Sequence, residues 1–409
     1  MIFSILTTKQ FNFSKYLYMI ILISISFSLA WLIILFMEPT VAIYGVTTEG
    51  YSLACMMSIK GANVYVVDES ASLAINLKPE IAKTYNTISS LREDEPLLSM
   101  TPIDVAISNS TYVFFAPTIR KSGLDAKNEI RTKFKDVMAS VVKNSSIICC
   151  LPTGFGGNDE NISILEHVTG FEIGTSLSYF YYPLSNIHTP KFIGSFNNKN
   201  DQILAHLLNV DSKNFVSIQS AEQSHAIYIM SKFSELCSIL EICKLIKDDK
   251  SKTDLSYLEY NDIYLDDMMY ELYDLQLLKS TFDNMPVFMY LINGCMKSIA
   301  NYIKRLIDKV KLVLKKNDLK SSRTKIILLW HLDGTEMRGD KLEILNDVIS
   351  RLRDYVVDVE FYTKQNVDLD HNDKTVIVIS CSKHDYDNAA KKKDSSIIII
   401  KANPLFEIL

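Results

Sequence analysis

Apolar residues fall along this chain in short bursts separated by helical periodicity. The run 40–44 is β-branched and apolar and stops at Gly45, 50–60 has helical spacing, and 63–68 is a second β-branched run closed by Asp68. Apolar runs at 112–116 and 146–151 are stopped by Pro117 and Pro152, with helical periodicity over 125–143 between them. Continuous apolar strands that alternate with helices predict a parallel sheet covered on both faces and opened by a βαβ unit. Between the second and third runs the pattern predicts a helical stretch with an acidic, polar loop around 92–95. From 219 to 320 the pattern is helical: 220–247 lacks glycine and proline, and 286–316 is a long amphipathic stretch ending in a basic run. After 323 it returns to strands at 325–330, 356–361, 375–379 and 396–400, with a helix over 340–353. No repeat at fixed spacing occurs. The pattern therefore predicts two α/β units flanking a helical middle.

Composition narrows this picture. The 409 residues are 48% apolar and 22% charged, which excludes global disorder. Ten of the 13 glycines precede residue 200, so any glycine-rich loop must lie in the first half. The net charge of −5 and the absence of a basic stripe argue against a nucleic-acid partner. Seven cysteines, at 55, 149, 150, 237, 243, 295 and 381, contain no CxxC pair. They read as reduced, buried thiols, with neither a disulfide framework nor a metal site.

Residues 16–37 are uncharged and apolar, long enough for a transmembrane anchor, with Lys9 and Lys15 on one flank and Glu38 on the other. Two readings stand. The chain is membrane-anchored with 38–409 outside, or translation starts at Met37 and the protein is cytoplasmic.

The turn after the first strand reads Gly45-Val46-Thr47-Thr48-Glu49-Gly50, a GxGxxG pattern with Thr47 in the middle position. The outer glycines suit a tight turn and close helix–strand packing, and the middle one normally gives a pyrophosphate room to approach. Asp68 follows Gly50 by 18 residues. A carboxylate there accepts hydrogen bonds from ribose hydroxyls and favours NAD over NADP. Against this stands an ordinary βαβ unit with turn glycines and a surface aspartate.

Several segments, in order, resemble the UDP-glucose/GDP-mannose dehydrogenase family. The strand and turn 41–50 resemble the family's first strand, and Ala116-Pro117-Thr118 followed by Gly123-Leu124-Asp125 resembles its "VPTP" strand end. The loop from Pro152 and Thr153 to Glu160 is similar to "STVPPGTTE", the helix from Ala221-Glu222 to Glu241 to the family's central helix, and Thr335-Glu336-Met337-Arg338 to "TDDVR", one residue shorter. The resemblance implies a Rossmann-type NAD-binding domain (38–218), a helical dimerisation domain (219–322) and a C-terminal α/β nucleotide-sugar-binding domain (323–409), preceded by the extension 1–37. It also implies NAD contacts at Gly45, Thr47, Thr48, Glu49, Gly50, Asp68, Pro117, Thr118 and Thr153, and a substrate contact at Arg338.

The family oxidises a sugar alcohol to a carboxylate through a cysteine thiohemiacetal and thioester, a route that needs an activated thiolate and donors where negative charge develops. Of that machinery only the threonine is matched, by Thr153. The family's glutamate falls at Leu184, its lysine at His225, its asparagine at Ile229 and the C-terminal lysine near Leu332. Residues 244–293 hold neither the cysteine nor its glycine loop, and Cys243 and Cys295 lie in helical patterns. The resemblance thus implies a member that keeps the fold, binds NAD or a UDP-linked sugar, and partners itself or an active paralogue without oxidising. The alternatives are an active UDP-sugar dehydrogenase with a relocated nucleophile, and a membrane-anchored binding protein.

Other features read more plainly. His225 on a mostly apolar helix reads as a packed or surface side chain rather than a base. The stretch 254–274, with seven acidic residues and no basic one, reads as an exposed helical face with buried tyrosine rings. The run 391–393 reads as a solvated lysine face. The loop 154–157 suits either a phosphate or an ordinary turn, and Arg338 either a phosphate or a surface carboxylate.

Overall fold

The computed structural model describes residues 38–121, 123–185, 190–246, 262–282, 285–363, 374–392 and 396–405. The apolar segment 16–37, residues 254–261 and Lys393 lie outside them. Among the described residues no helix is long and apolar enough to cross a membrane.

The chain opens with strand β1 (Thr40–Tyr44), helix α1 (Thr48–Ile59) and strand β2 (Asn63–Asp68). Strands β3 (Leu73–Leu77), β4 (Ser99–Pro102) and β5 (Tyr112–Phe115) follow, then helix α2 (Gly123–Met138), β6 (Ser146–Cys149), helix α3 (Gly157–Thr169) and β7 (Ser178–Tyr181). With β8 (Ile193–Ser195) and β9 (Phe215–Ser217) they form one sheet ordered β4-β3-β2-β1-β5-β6-β7-β8-β9. The run from β2 to β7 across the sheet is parallel. All four residues of β5 and of β6 are buried, as a parallel sheet with both faces covered requires.

The edges differ from the expected all-parallel sheet. β3 and β4 join antiparallel where the pattern predicts helix, and β8 runs antiparallel to β7. β4 is largely exposed, so its residues carry no apolar run that marks a strand. Two short helices, Pro79–Thr84 and Ile88–Asp94, do lie between β3 and β4.

Two long helices, α4 (Ile218–Ile246) and later α7 (Pro286–Lys316), make the helical middle. On α7 the buried residues Ile292, Cys295, Ile299, Tyr302, Leu306 and Val310 recur at three- and four-residue spacing. That stripe shares a core with Phe233, Leu236 and Leu240 of α4. Between them come the short α5 (Leu265–Met269) and α6 (Leu272–Thr281). A second, all-parallel sheet ordered β11-β10-β12-β13 closes the chain. Its strands are β10 (Thr324–Leu329), β11 (Asp358–Tyr362), β12 (Thr375–Ser380) and β13 (Ile397–Lys401), with helices α8 (Asp340–Arg353) and α9 (Lys383–Lys391) as crossovers. The architecture is mixed α/β with a large, parallel-rich first sheet.

The register of β1 on β5 sets up the crevice. Tyr44 pairs with Phe115 and their rings stack at 5.7 Å, so Gly45 and Ala116 leave the sheet side by side. Gly45 has φ +116°, and a Cβ there would lie 2.1 Å from the Ala116 carbonyl oxygen. Gly61, at φ +90°, has open space around the same position. Gly45→Ala should therefore cost about 2–5 kcal/mol from strain plus overpacking, and Gly61→Ala about 1–2 kcal/mol from strain alone. Equal losses in urea unfolding would contradict this account.

Candidate functional site

The connections from β1 and β5 leave in opposite directions across the sheet, so a crevice opens at their carboxyl ends. The turn 45–50 lies there. Thr47 is fully buried and caps α1: its Oγ1 accepts from the Gly50 N–H at 3.0 Å and donates to the Ala116 carbonyl at 3.4 Å. The next residues are tied to the second α/β unit. The Thr48 N–H donates to the Thr335 carbonyl at 2.9 Å, and its hydroxyl donates to the Asp333 carboxylate. A Glu49 oxygen accepts from the Met337 N–H at 2.9 Å, and the Ile119 N–H donates to the Met337 carbonyl at 2.8 Å. Arg120 Nη2 reaches the Gly334 carbonyl at 2.8 Å. Residues 333–338 thus lie across the helix N-terminus.

A dinucleotide needs free N–H groups at this helix end and room for its pyrophosphate under the middle residue of the turn. Thr47 takes the middle position with its side chain folded back onto the Gly50 N–H and the Ala116 carbonyl, and a carbonyl and a carboxylate of the chain itself stand at the helix end. As arranged, these residues do not fit the group. The remaining residues expected at a dinucleotide site are also engaged. Asp68 Oδ1 accepts from the Ser70 N–H and hydroxyl at 2.8 and 2.6 Å, closing a local turn. The Thr118 N–H donates to Glu69 at 3.0 Å, and Lys133 bridges Glu69 and the Thr118 carbonyl. Pro117 packs against Gly45. Gly45 to Gly50, Pro117 and the loop bearing Arg338 come together, whereas Thr153 lies apart at the end of β6.

Beneath Leu184 is a buried ion network. Asp274 on α6 forms an ion pair with Arg338 (Nε to Oδ1 3.0 Å) and accepts from Arg338 Nη2 at 3.2 Å, with His225 Nε2 at 3.1 Å, and Arg338 Nη2 also donates to the Leu184 carbonyl at 3.0 Å. Alongside, Lys232 of α4 pairs with Glu271 at 3.0 Å, and Tyr228 and Ser185 donate to the same carboxylate. Burial alone raises the Glu271 carboxyl, but Lys232 and Ser185 outweigh it and hold the group below its ordinary value. Next to it, Lys341 lies between Asp266 and Glu336 at 2.9 and 3.1 Å and over the Tyr270 ring. Burial pushes the Glu336 carboxyl up to about 7, with Lys341 opposing. The expected solvated acidic face forms only in part: Asp262 and Asp267 are exposed. Tyr264 and Tyr273 are buried, but so are Glu271 and Asp274, because α6 lies under the loop 333–338 with cations at hand. Arg338 is buried too, on a carboxylate rather than at the surface. Sequence reasoning missed Lys232, Glu271 and Asp333; the signal available for Glu271 was a dense acid run lacking basic partners of its own.

Thr153 faces a separate cavity of about 420 Å³ between α2, α3 and α6, walled by Ile130, Leu151, Phe155 and Leu277. Its hydroxyl accepts from Asn158 Nδ2 at 2.8 Å. The buried Glu222 caps α3 through the Gly156 and Asn158 N–H groups at 2.8 and 3.2 Å, so the loop 154–157 is held by a carboxylate.

Over nine-tenths of its length the chain is similar to solved sugar-nucleotide enzymes. UDP-D-ManNAc dehydrogenase from Pyrococcus horikoshii matches 89% of this chain and 95% of its own at 13% identity and TM-score 0.59. UDP-N-acetyl-mannosamine dehydrogenase from Staphylococcus aureus matches 90% and 99% at 11% identity and TM-score 0.55. The fold is that of the nucleotide-sugar dehydrogenases. NDP-N-acetyl-D-galactosaminuronic acid dehydrogenase from Methanosarcina mazei Go1 shares it at 10% identity, covering 89% and 95%, with TM-score 0.51. No family model and no curated protein matches the chain. On this nucleotide-sugar dehydrogenase fold, the cysteines are free and, except for the half-buried Cys237, buried. Cys243 and Cys295 belong to the helical core. Cys149 lines the cavity beside Thr153, where burial pushes its thiol up to about 11. Among the described residues no cluster of metal-binding side chains occurs.

The ion network makes a sharp prediction. Lys232→Met strands the Glu271 carboxylate and should cost about 3–5 kcal/mol at neutral pH, while adding Glu271→Gln should recover much of that loss. Because the fold holds Glu271 below its free value, the pair's contribution is present above the ordinary carboxylate range and is lost as pH falls through the folded value. The gap between wild type and Lys232→Met should therefore narrow on acidification. A gap in urea unfolding that stays constant with pH would contradict the pairing.

Proposed function

We propose that this chain is a nucleotide-sugar dehydrogenase-like binding protein that does not carry out cysteine-dependent oxidation. The observation that carries the reading is the network of Asp274, Arg338, His225, Lys232 and Glu271. It fills the space under Leu184 with ion pairs and hydrogen bonds, at the positions where the family's glutamate and lysine fall at Leu184 and His225. Lys232 and Arg338 are each held on a carboxylate, so neither cation stands free as an oxyanion donor.

The relocated-nucleophile reading would fall to Cys149, the thiol beside Thr153. With its thiol at about 11, on the order of one in ten thousand molecules carries the thiolate at pH 7. An activated cysteine shows the opposite shift. Binding is supported by the cavity at Thr153, whose volume of about 420 Å³ suits a small ligand. A UDP-linked sugar is the ligand class the fold suggests. A second copy or an active relative is the partner suggested by exposed Ile227, Val287, Tyr290 and Leu312 on the two long helices.

The test is NADH absorbance on incubating the full chain with NAD and UDP-glucose or a UDP-N-acetylhexosamine. No turnover above background is expected. Turnover that disappears in Cys149→Ser would establish the active alternative instead.

A further inference from the structure

A helix N-terminus carries roughly half a positive charge and unsatisfied N–H groups, so it draws an anion. At α1 the chain supplies its own. Asp333 accepts from the Thr48 hydroxyl, from the Thr335 N–H at 2.8 Å and from the Thr335 hydroxyl. Burial raises its carboxyl, but those hydrogen bonds outweigh burial and hold it below the ordinary value, so it is charged at neutral pH. The Thr335 carbonyl takes the Thr48 N–H. The Glu49 carboxylate anchors the loop from the other side through the Met337 N–H, with Arg338 as its nearest opposing charge. Met337 is fully buried beneath this tie. Arg120 and Ile119, on the segment after β5, hold the far edge of the loop. The contacts come from both strands that flank the crevice, so the loop spans its mouth.

We propose that residues 333–338 are a built-in occupant of the dinucleotide seat, with the Asp333 carboxylate and the Thr335 carbonyl standing where pyrophosphate oxygens would bind. The seat is closed to NAD and to any other nucleoside diphosphate presented there. Two elements do the excluding. The backbone of the loop fills the volume, and the Asp333 charge repels a second anion. This inference stands apart from the proposed loss of oxidation, since it concerns the cofactor seat and not the ion network under Leu184.

The test compares calorimetric binding of inorganic pyrophosphate and of NAD to the full wild-type chain and to two variants. Asp333→Asn removes the charge and keeps the shape. Asp333→Ala with Glu49→Gln removes the charge and loosens both anchors. Wild type should bind neither probe at millimolar concentration. The double variant should gain pyrophosphate affinity by at least tenfold and bind NAD as well, and Asp333→Asn should gain less because the loop backbone stays in place. Saturable NAD binding by wild type would overturn the proposal. So would failure of the folded double variant, checked by circular dichroism, to gain affinity for either probe. Neither result depends on turnover, so each is separable from the oxidation assay.

Discussion

The first sheet and the second α/β unit meet at a handful of hydrogen bonds between the start of α1 and residues 333–338. The Thr48 N–H to Thr335 carbonyl bond, at 2.9 Å, is the centre of that clamp. Much of the site follows from it. The clamp buries Glu49 and Met337, places Arg338 over Asp274, and so fixes the side chain that balances α6. It also closes the crevice that a parallel sheet opens at its switch point.

The charged groups behind the clamp are costly to bury and are held only by mutual pairing. Removing two charges from water costs several kcal/mol per ion, and the attraction between them offsets this only with good geometry and added hydrogen bonds. Glu271 meets that condition through Lys232, Tyr228 and Ser185, and Asp274 meets it at one oxygen, through Arg338 Nη2 and His225. Such a network orders three parts of the chain at once, since α4, α6 and the loop 333–338 each supply a member.

The mixed α/β class and the order of strand, turn, helix and strand at 40–68 were legible, because continuous apolar runs and turn glycines report local geometry. The β3–β4 edge was not, because edge strands are half-exposed and carry no apolar run. The long helices were legible from a three- and four-residue stripe on α7. The site was legible only in part. The segments holding Gly45 and Thr47 could be found by spacing and those holding Pro117 and Arg338 by resemblance, but their mutual contacts could not. Nothing in the spacing between Thr48 and Asp333 signals that they touch, since 285 residues separate them. The acid run read as solvated for a similar reason, since the cations that bury Glu271 and Asp274 come from distant segments. The scarcity of glycine after residue 200 keeps its place in the account, since the second half of the chain meets the first with a short clamp and not with a glycine-rich loop.

The most direct measurement of the clamp is native-state hydrogen exchange of the full chain, read at the Thr48 and Met337 amides. Both are the first groups to open if the loop is a loose cover, and both are internal bonds if it is part of the fold. The account predicts exchange of both as slow as that of the buried β1 and β5 amides, and unchanged when NAD is added. Rapid exchange at Thr48, or protection there that appears only with NAD, would contradict it.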